Sequence, residues 1–298
     1  MSKPSADLLI GITSWNSARF IGRCIEAVKK HTVGLNLEIV VFDNGSDDGS
    51  AEIAERLGAT VRSGQCSQGD ALNVLVQTST AGRVLLLHAD VIILDSRWFE
   101  ICNRHLVDRC VLVSPEDIGC GPLSRPFGRG MPESSFLFFS RKGVESLTRW
   151  RWGGRRFLSL PRRGMDFYGP HVTHNLPREL SRLNLAWCPM TVLPSPRVSD
   201  PIYTPDWSPK VWSDELQYLR YGLGNFYALD GVVTHYHNWY DRVDQSGAAD
   251  PRATTERNGD GFPVAFIALA TENFLSDLDA GCIVVPPPNK IDREPKAL

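Results

Sequence analysis

The sequence predicts an α/β fold in which a mostly parallel sheet is flanked by helices, and three observations predict it. Apolar runs of strand length stop at Asp43 and at Asp90, a pattern typical of strands buried on both faces of a parallel sheet. Segments with apolar residues at helical spacing separate these runs. The links between them are short, as in chains that alternate strand and helix. The two carboxylates should therefore lie at the carboxyl edge of the sheet, where open α/β folds bind ligands.

Strand and helix alternate regularly through the N-terminal third of the chain. The segment after the first apolar run carries apolar residues on one helical face, at Phe20, Ile21, Cys24, Ile25 and Val28. The next helical segment ends at Gly58, a common helix stop. We predict strands over Leu8 to Thr13, Glu38 to Phe42, Ala59 to Arg62 and Arg83 to Leu87, and helices over Ser17 to His31, Ser50 to Leu57 and Ala71 to Ser79.

The pattern loosens after Asp90. We predict strands over Cys110 to Ser114, Ser135 to Ser140 and Phe226 to Val233, and helices over Asp214 to Tyr221 and Phe262 to Leu278. Residues 165–211 are rich in Pro, Trp and Tyr and lack periodicity, which predicts an irregular lid or pocket wall. We expect one domain over residues 1–284, divided near residue 95 into two halves, and a flexible tail at 285–298.

Composition excludes several classes of protein. The formal net charge is −2, so no global field favours nucleic acid or an anionic membrane as partner. Seven cysteines without a Cys-x-x-Cys pair predict reduced thiols and a cytoplasmic location. No apolar run reaches the roughly 18 to 20 residues of a transmembrane helix. The first strand is not followed by Gly-x-Gly-x-x-Gly, which argues against a nicotinamide dehydrogenase.

Four motifs occur in a definite order along the chain. They are the turn Asp43 to Ser50, the segment Gly69 to Asn73, the strand Val84 to Asp90, and the segment Ser213 to Arg220. In this order they resemble the family 2 glycosyltransferases of the GT-A fold. The resemblance implies a GT-A-like, Rossmann-type sheet, with a nucleotide-sugar (donor) half at residues 1–95 and an acceptor half at 96–284 that includes the irregular region. It also implies inverting transfer of a hexosyl or pentosyl group from a nucleotide-diphosphate sugar, with a UDP-sugar favoured, to an acceptor hydroxyl.

The resemblance also implies which residues bind the donor. Asp43 would accept the imide N–H of the base, and the end of the first strand would contact the nucleoside. Gly69 and Asp70 would approach the diphosphate-sugar, and Ala89 belongs to the motif that ends at Asp90. The donor-binding candidates are thus Thr13, Ser14, Asn16, Asp43, Gly69, Asp70 and Ala89. From the residues alone, Asp-Asn-Gly-Ser is also common turn chemistry, and that alternative stays open.

A divalent cation, Mn²⁺ or Mg²⁺, is implied by the motif at Asp90, whose carboxylate is a hard oxygen ligand. His88 stands where the family has its first acid, so the motif resembles a His-Ala-Asp variant of Asp-x-Asp. By resemblance, His235 is the late histidine that reaches the metal, and His237 is the second candidate. A purely structural histidine is the alternative at both positions.

Asp214 is the candidate general base, since it matches the carboxylate at the start of the family's late helix. It would take the proton of the acceptor hydroxyl during attack on the anomeric carbon. Glu215 is the competing candidate. A helix cap is the plainer alternative for this acidic pair.

A block of basic and aromatic residues follows the predicted strand at Ser135 to Ser140. The block consists of Arg141, Lys142, Arg149, Arg151, Arg155, Arg156, Arg162 and Arg163, interleaved with Trp150, Trp152 and Phe157. Arginine forks bind phosphate and flat rings stack on bases or sugars, so Arg155 and Arg156 are substrate-binding candidates. The acceptor could be a glycan, a lipid head group or modified DNA. The rivals are a transferase acting on modified DNA, a non-catalytic nucleotide- or nucleic-acid-binding module, and a merely solvated basic surface.

Overall fold

One mixed β-sheet organises the residues that the computed structural model describes, which are 6–117, 130–147, 172–173, 175–202, 216–238 and 264–288. Its first four strands in space are parallel, in the order β3-β2-β1-β4. They are β1 (Leu8–Ser14), β2 (Leu37–Asp43), β3 (Thr60–Ser63) and β4 (Arg83–His88). The helices between them are α1 (Ala18–His31), α2 (Ser50–Arg56) and α3 (Gln68–Gln77). All seven elements of this half were predicted, within a few residues at their ends.

The later strands extend the sheet beyond β4 with mixed pairing: the path continues β8-β6-β9-β10-β11-β5, and β7 pairs with β6 outside this path. These strands are β5 (Val91–Ile93), β6 (Cys110–Asp117), β7 (Met131–Pro132), β8 (Phe136–Ser140), β9 (Ala186–Pro194), β10 (Asn225–Leu229) and β11 (Val232–His237). The helices are α4 (Trp98–His105), α5 (Arg141–Leu147), α6 (Leu176–Arg182) and α7 (Val264–Asp279). The short elements β5, β7, α4, α5 and α6 were not predicted.

Apolar side chains cover both faces of the sheet, as the continuous apolar runs predict. On one face, β1 packs through Leu8, Ile10 and Ile12 in a cluster that includes residues of α1, α4 and α7. On the other face, Leu9 belongs to a cluster with residues of α3, α5 and α6. The α/β fold class with flanking helices is therefore confirmed.

The predicted strand from Phe226 to Val233 is wrong because it runs through a turn. Asp230 and Gly231 have φ values of 50° and 75° and join β10 to β11 as an antiparallel hairpin. Asp-Gly favours two-residue hairpin turns, since both central residues need positive φ. The second strand therefore continues to His237, which changes the placement of both late histidines.

The segment that was expected to be irregular contains a strand inside the sheet. β9 pairs in parallel with β6 and antiparallel with β10, so residues 186–194 do not form a lid. Its prolines hide the strand pattern in the sequence. Pro189 is tolerated because β10 pairs only with residues 191–194 of β9, so Pro189 lacks a neighbour on that side.

The predicted helix from Asp214 to Tyr221 differs from the described structure over 216–221. Only a 3-10 turn occurs there, at Leu216–Tyr218. The predicted helix from Phe262 to Leu278 matches α7, and no helix in the described part of the chain is long and apolar enough to cross a bilayer.

Helix α7 is held against the sheet by an aromatic stack and by a partly buried ion-pair network. The Phe274 ring lies 3.7 Å from the Tyr236 ring in a stacked arrangement. Arg220 donates to both oxygens of Asp277, at 2.6 and 2.9 Å, and the Tyr221 hydroxyl donates to the same carboxylate at 2.6 Å. These contacts tie α7 to β11 and to the turn that precedes β10.

We expect Phe274→Ala to lower the free energy of unfolding by about 3–5 kcal/mol, because it removes a fully buried ring and leaves a cavity. Leu269→Ala is the matched control, since Leu269 lies on the same helix and is exposed. It should cost less than about 1 kcal/mol. Urea denaturation measures both, and equal losses would show that the α7 stack does not stabilise the fold as described.

Candidate functional site

A cavity of about 770 Å³ opens at the carboxyl ends of β1, β2 and β4. Its lining comes from the loops after these strands and from the start of α3, at residues 13–15, 17, 42, 44, 45, 65–68, 71 and 88–90. This is the edge where parallel α/β sheets place their ligand sites. Gly11 lets α3 approach β1 beneath it, since a Cβ at Gly11 would meet a Leu86 methyl at 2.9 Å and the Leu75 Cβ at 3.2 Å.

The end of β1 brings two hydroxyl groups to the cavity. The Thr13 hydroxyl donates to the Leu87 carbonyl at 3.4 Å. The Ser14 side chain is buried, and its Oγ has no hydrogen-bond partner among the described residues. A buried hydroxyl that lines a cavity without a partner is available to a ligand.

Asn16 and Asp43 stabilise the loops around the cavity through hydrogen bonds, and neither residue lines the cavity. Asn16 has a φ of 47°, and its Oδ1 accepts from the Asp47 amide at 3.0 Å. The Asp43 carboxylate accepts from the amides of Gly45 and Ser46 at 3.2 and 2.9 Å, and from the Ser46 hydroxyl at 2.5 Å. The turn chemistry that stood as the alternative for Asp43 is therefore present.

Gly69 and Asp70 lie in the first turn of α3. The Ser67 hydroxyl accepts from the Asp70 amide at 3.2 Å and donates to the Asp70 carboxylate at 2.7 Å, so Ser67 and Asp70 cap the helix. Gln68 and Ala71, on either side of Gly69 and Asp70, line the cavity. Ala89 lines it as well, and its amide donates to the Thr13 carbonyl at 3.1 Å.

Two residues that line the cavity and a third beside them could hold a metal ion. His88, Asp90 and His237 each offer one ligand atom, and these atoms all lie within 4.8 Å of one another. The His237 Nε2 is 3.4 Å from the Asp90 Oδ1. Two imidazoles and one carboxylate fit a divalent transition-metal ion such as Mn²⁺. The Nε2 of His88 lies 2.6 Å from the side-chain amide nitrogen of Gln68.

Behind this cluster lies a buried carboxylate, Glu133. Its Oε1 is 3.0 Å from the His237 Nδ1 and accepts from the Ser135 hydroxyl at 2.7 Å, and its Oε2 accepts from the Tyr227 hydroxyl at 2.8 Å. Burial would raise the pKa of Glu133, but the hydrogen bond and charge of His237, with the two hydroxyl donors, lower the pKa to about 2. Burial lowers the pKa of His237, but Asp90 and Glu133 outweigh it and raise the pKa to about 9.

His235, the late histidine favoured from the sequence, is not part of the cluster. Its ring is fully buried and stacks between Phe136, at 4.2 Å, and Tyr227, at 4.7 Å. Burial lowers its pKa to about 3, so the ring is neutral. The position next to Asp90 belongs to His237, because His237 pairs with Val91 while His235 pairs with Ile93, two residues further along β5.

Several predicted site residues lie outside the described part of the chain. They are Asp214, its competitor Glu215, and Arg155 and Arg156 of the basic block. Conversely, sequence reasoning missed Glu133 altogether and ranked His237 second. The signal for His237 was the Asp230-Gly231 turn, since a hairpin there carries β11 on to His237. Nothing in the sequence near Glu133 indicates its partner, which is 104 positions further along the chain at His237.

The chain matches the family model described as Glycosyl transferase family 2 over residues 9–167, more than half of its 298 residues. It belongs to this family. A search of curated proteins finds no match.

Among solved structures, the chain is similar to the mannosyltransferase PcManGT from Pyrobaculum calidifontis in complex with GDP-Man and Mn²⁺. The identity is 17% and the TM-score 0.40, over 49% of this chain and 47% of that one. It is also similar to glucosyl-3-phosphoglycerate synthase from Mycobacterium tuberculosis in complex with Mn²⁺, UDP and glucosyl-3-phosphoglycerate. There the identity is 19% and the TM-score 0.39, over 48% of this chain and 59% of that one. The chain thus spans about half the length of these proteins.

We expect Ser14→Ala to leave the free energy of unfolding of the unliganded protein within about 0.5 kcal/mol of wild type or to raise it, because no hydrogen bond is lost. The matched control is Ser50→Ala. The Ser50 hydroxyl is fully buried and accepts from the Ser17 amide at 2.8 Å, so its loss should cost about 1–3 kcal/mol. If urea titration gave the larger loss for Ser14→Ala, its hydroxyl would have a structural partner.

Proposed function

We propose that this protein is an inverting glycosyltransferase that moves a hexosyl or pentosyl group from a nucleotide-diphosphate sugar to an acceptor hydroxyl. The observation that carries the proposal is the position of the metal-ligand cluster. His88 and Asp90 line the rim of a 770 Å³ cavity at the ligand-binding edge of a family 2 sheet. A nucleotide diphosphate needs a cation site next to a cavity, since its phosphates require a cation and its nucleoside requires a cavity.

The donor would lie with its nucleoside against the end of β1. The Ser14 hydroxyl, which has no partner among the described residues, and the loop at residues 44–45 supply polar groups there. We propose a UDP-sugar as donor and retain Asp43 as the candidate base-reading residue. Since its carboxylate already accepts hydrogen bonds from its own turn, Asp43 would also hold the loop that contacts the base.

His88, Asp90 and His237 would hold the cation, which when bound would neutralise the diphosphate and stabilise it as a leaving group. Magnesium prefers oxygen ligands and keeps several waters, whereas imidazole suits transition metals. The donor set of two imidazoles and one carboxylate therefore favours Mn²⁺ over Mg²⁺.

Asp214 is the proposed base, with Glu215 as the alternative. A carboxylate in this role accepts the proton of the acceptor hydroxyl. The hydroxyl oxygen at the same time attacks the anomeric carbon on the face opposite the diphosphate. We also propose that residues 1–284 form a single domain. A cytoplasmic location is supported by the free thiols of the six described cysteines.

The function is tested by calorimetric titration of the protein with UDP, GDP, CDP and dTDP, each with and without Mn²⁺. Tight binding of UDP that depends on Mn²⁺ is the expected result. Absence of binding by all four nucleotides would refute the proposed donor class. Mn²⁺-dependent binding of another nucleotide would replace UDP and keep the class.

Asp90→Asn should weaken Mn²⁺-dependent binding of UDP by at least about 10-fold, because it removes the only carboxylate among the three proposed ligands. Asp95→Asn is a suitable control, since Asp95 is close to Asp90 in the sequence but binds Arg97 in an exposed ion pair. Calorimetry with Mn²⁺ measures both variants. Unchanged affinity in Asp90→Asn would remove Asp90 from the metal site.

Asp214→Asn should keep UDP binding and lower the transfer rate by about 10²–10⁴-fold, because only the proton acceptor is lost. Glu215→Gln tests the neighbouring carboxylate and should retain most activity. Hydrolysis or transfer of the UDP-sugar, followed as release of UDP, provides the rate. The opposite ranking of the two variants would assign the base to Glu215.

A further inference from the structure

Glu133 is a buried carboxylate that contacts fix through both its side chain and its backbone. The residue is 5% exposed, and both of its carboxylate oxygens have partners, Ser135 and His237 at Oε1 and Tyr227 at Oε2. Its backbone is fixed as well. The Glu133 amide donates to the Pro115 carbonyl at 2.8 Å, and its carbonyl accepts from the Ser114 hydroxyl at 3.0 Å. The carboxylate therefore has one position.

That position determines how the His237 ring is presented. The Nδ1 lies 3.0 Å from the Glu133 Oε1, within ion-pair distance, while the Nε2 lies 3.4 Å from the Asp90 Oδ1. A carboxylate only accepts hydrogen bonds, so the nitrogen next to Glu133 carries the proton. When a cation displaces the second proton of the ring, the Nε2 is the nitrogen whose lone pair can bind it.

The geometry points to Glu133 as a positioning residue that sets the affinity of the site for its divalent cation by orienting His237. This inference rests on the proposed function, since it concerns the same cation. Glu133 then has a role beyond stabilising the core, because it acts through His237, the ligand of the cluster that lies in β11.

The charge balance supports this role. Burying a carboxylate is costly, and replacing buried charged pairs by well-packed apolar side chains is often neutral or stabilising, so a buried carboxylate is weak evidence for a role in stability alone. With a divalent cation bound and both imidazoles neutral, the negative charges of Asp90 and Glu133 together match the charge of the ion. Glu133 therefore contributes both a hydrogen-bond acceptor and a compensating charge, without touching the ion itself.

The direct test is titration of the full-length protein with Mn²⁺ alone, following the free Mn²⁺ signal by electron paramagnetic resonance. We expect Glu133→Gln to weaken Mn²⁺ binding by about 10- to 100-fold, the usual effect of losing a partner behind a metal ligand. The amide of glutamine lacks the charge and can donate to the Nδ1, which would leave the proton on the Nε2.

Tyr227→Phe is the matched control, because it removes a buried hydrogen bond from the other oxygen of Glu133 and leaves the contact with His237. Both variants should lower the melting temperature, but Tyr227→Phe should keep Mn²⁺ affinity within about threefold of wild type. A fall in melting temperature without a selective loss of Mn²⁺ affinity in Glu133→Gln would reduce Glu133 to a structural residue.

A measurement on the wild-type protein decides the matter even if Glu133→Gln does not fold. With Zn²⁺ as a diamagnetic cation, nitrogen-15 spectra should show the His237 Nδ1 protonated and the Nε2 bound to metal. Zn²⁺ bound through the Nδ1 would overturn the inference. If the wild-type protein binds neither cation, both the metal site of the proposed function and the role of Glu133 are overturned. If wild type and Glu133→Gln bind Mn²⁺ with equal affinity, only the positioning role of Glu133 is overturned.

Discussion

The pairing of β11 with β5 is the contact on which the candidate site depends. β5 is only three residues long and directly follows Asp90, so whatever pairs with its first residue lies beside that carboxylate. The partner of Val91 is His237, and the Asn238 amide donates to the Asp90 carbonyl at 3.0 Å just beyond it. A slip of one residue would turn His237 to the opposite face of the sheet. The aromatic stack between Tyr236 and α7 holds this register from the opposite face.

The polar interior behind the cluster follows from the same register. Once His237 is buried beside Asp90, its second nitrogen needs a partner in a region that water does not reach. Glu133 provides that partner, and Tyr227 and Ser135 stabilise the resulting charge. This network joins the segment between β7 and β8 to β10 and β11, and β8, β10 and β11 are antiparallel additions to the parallel half of the sheet. The parallel half therefore supplies the cavity, while the antiparallel half supplies the late ligand and its support.

The loop after β2 illustrates how one segment can serve both structure and binding. Its residues carry much of the resemblance to the family, yet several of its polar side chains bind one another and the loop after β1. Asp48 accepts from the Ala18 amide at 2.8 Å, at the start of α1, and Ser46 accepts from the Asn16 amide at 2.8 Å. The two loops thus form one rigid wall of the cavity. Rigid walls lower the entropic cost of ordering a bound ligand.

The sequence by itself determined the parallel half of the fold, the edge of the sheet where the site lies, and Asp90 within it. These features depend on local periodicity and on residues at strand ends, which a linear pattern contains. Tertiary structure alone decided that His237, and not His235, stands beside Asp90. It also decided that Glu133 lies behind His237. These placements depend on the register between distant strands and on competition among hydrogen-bond partners, neither of which is encoded in the spacing of nearby residues.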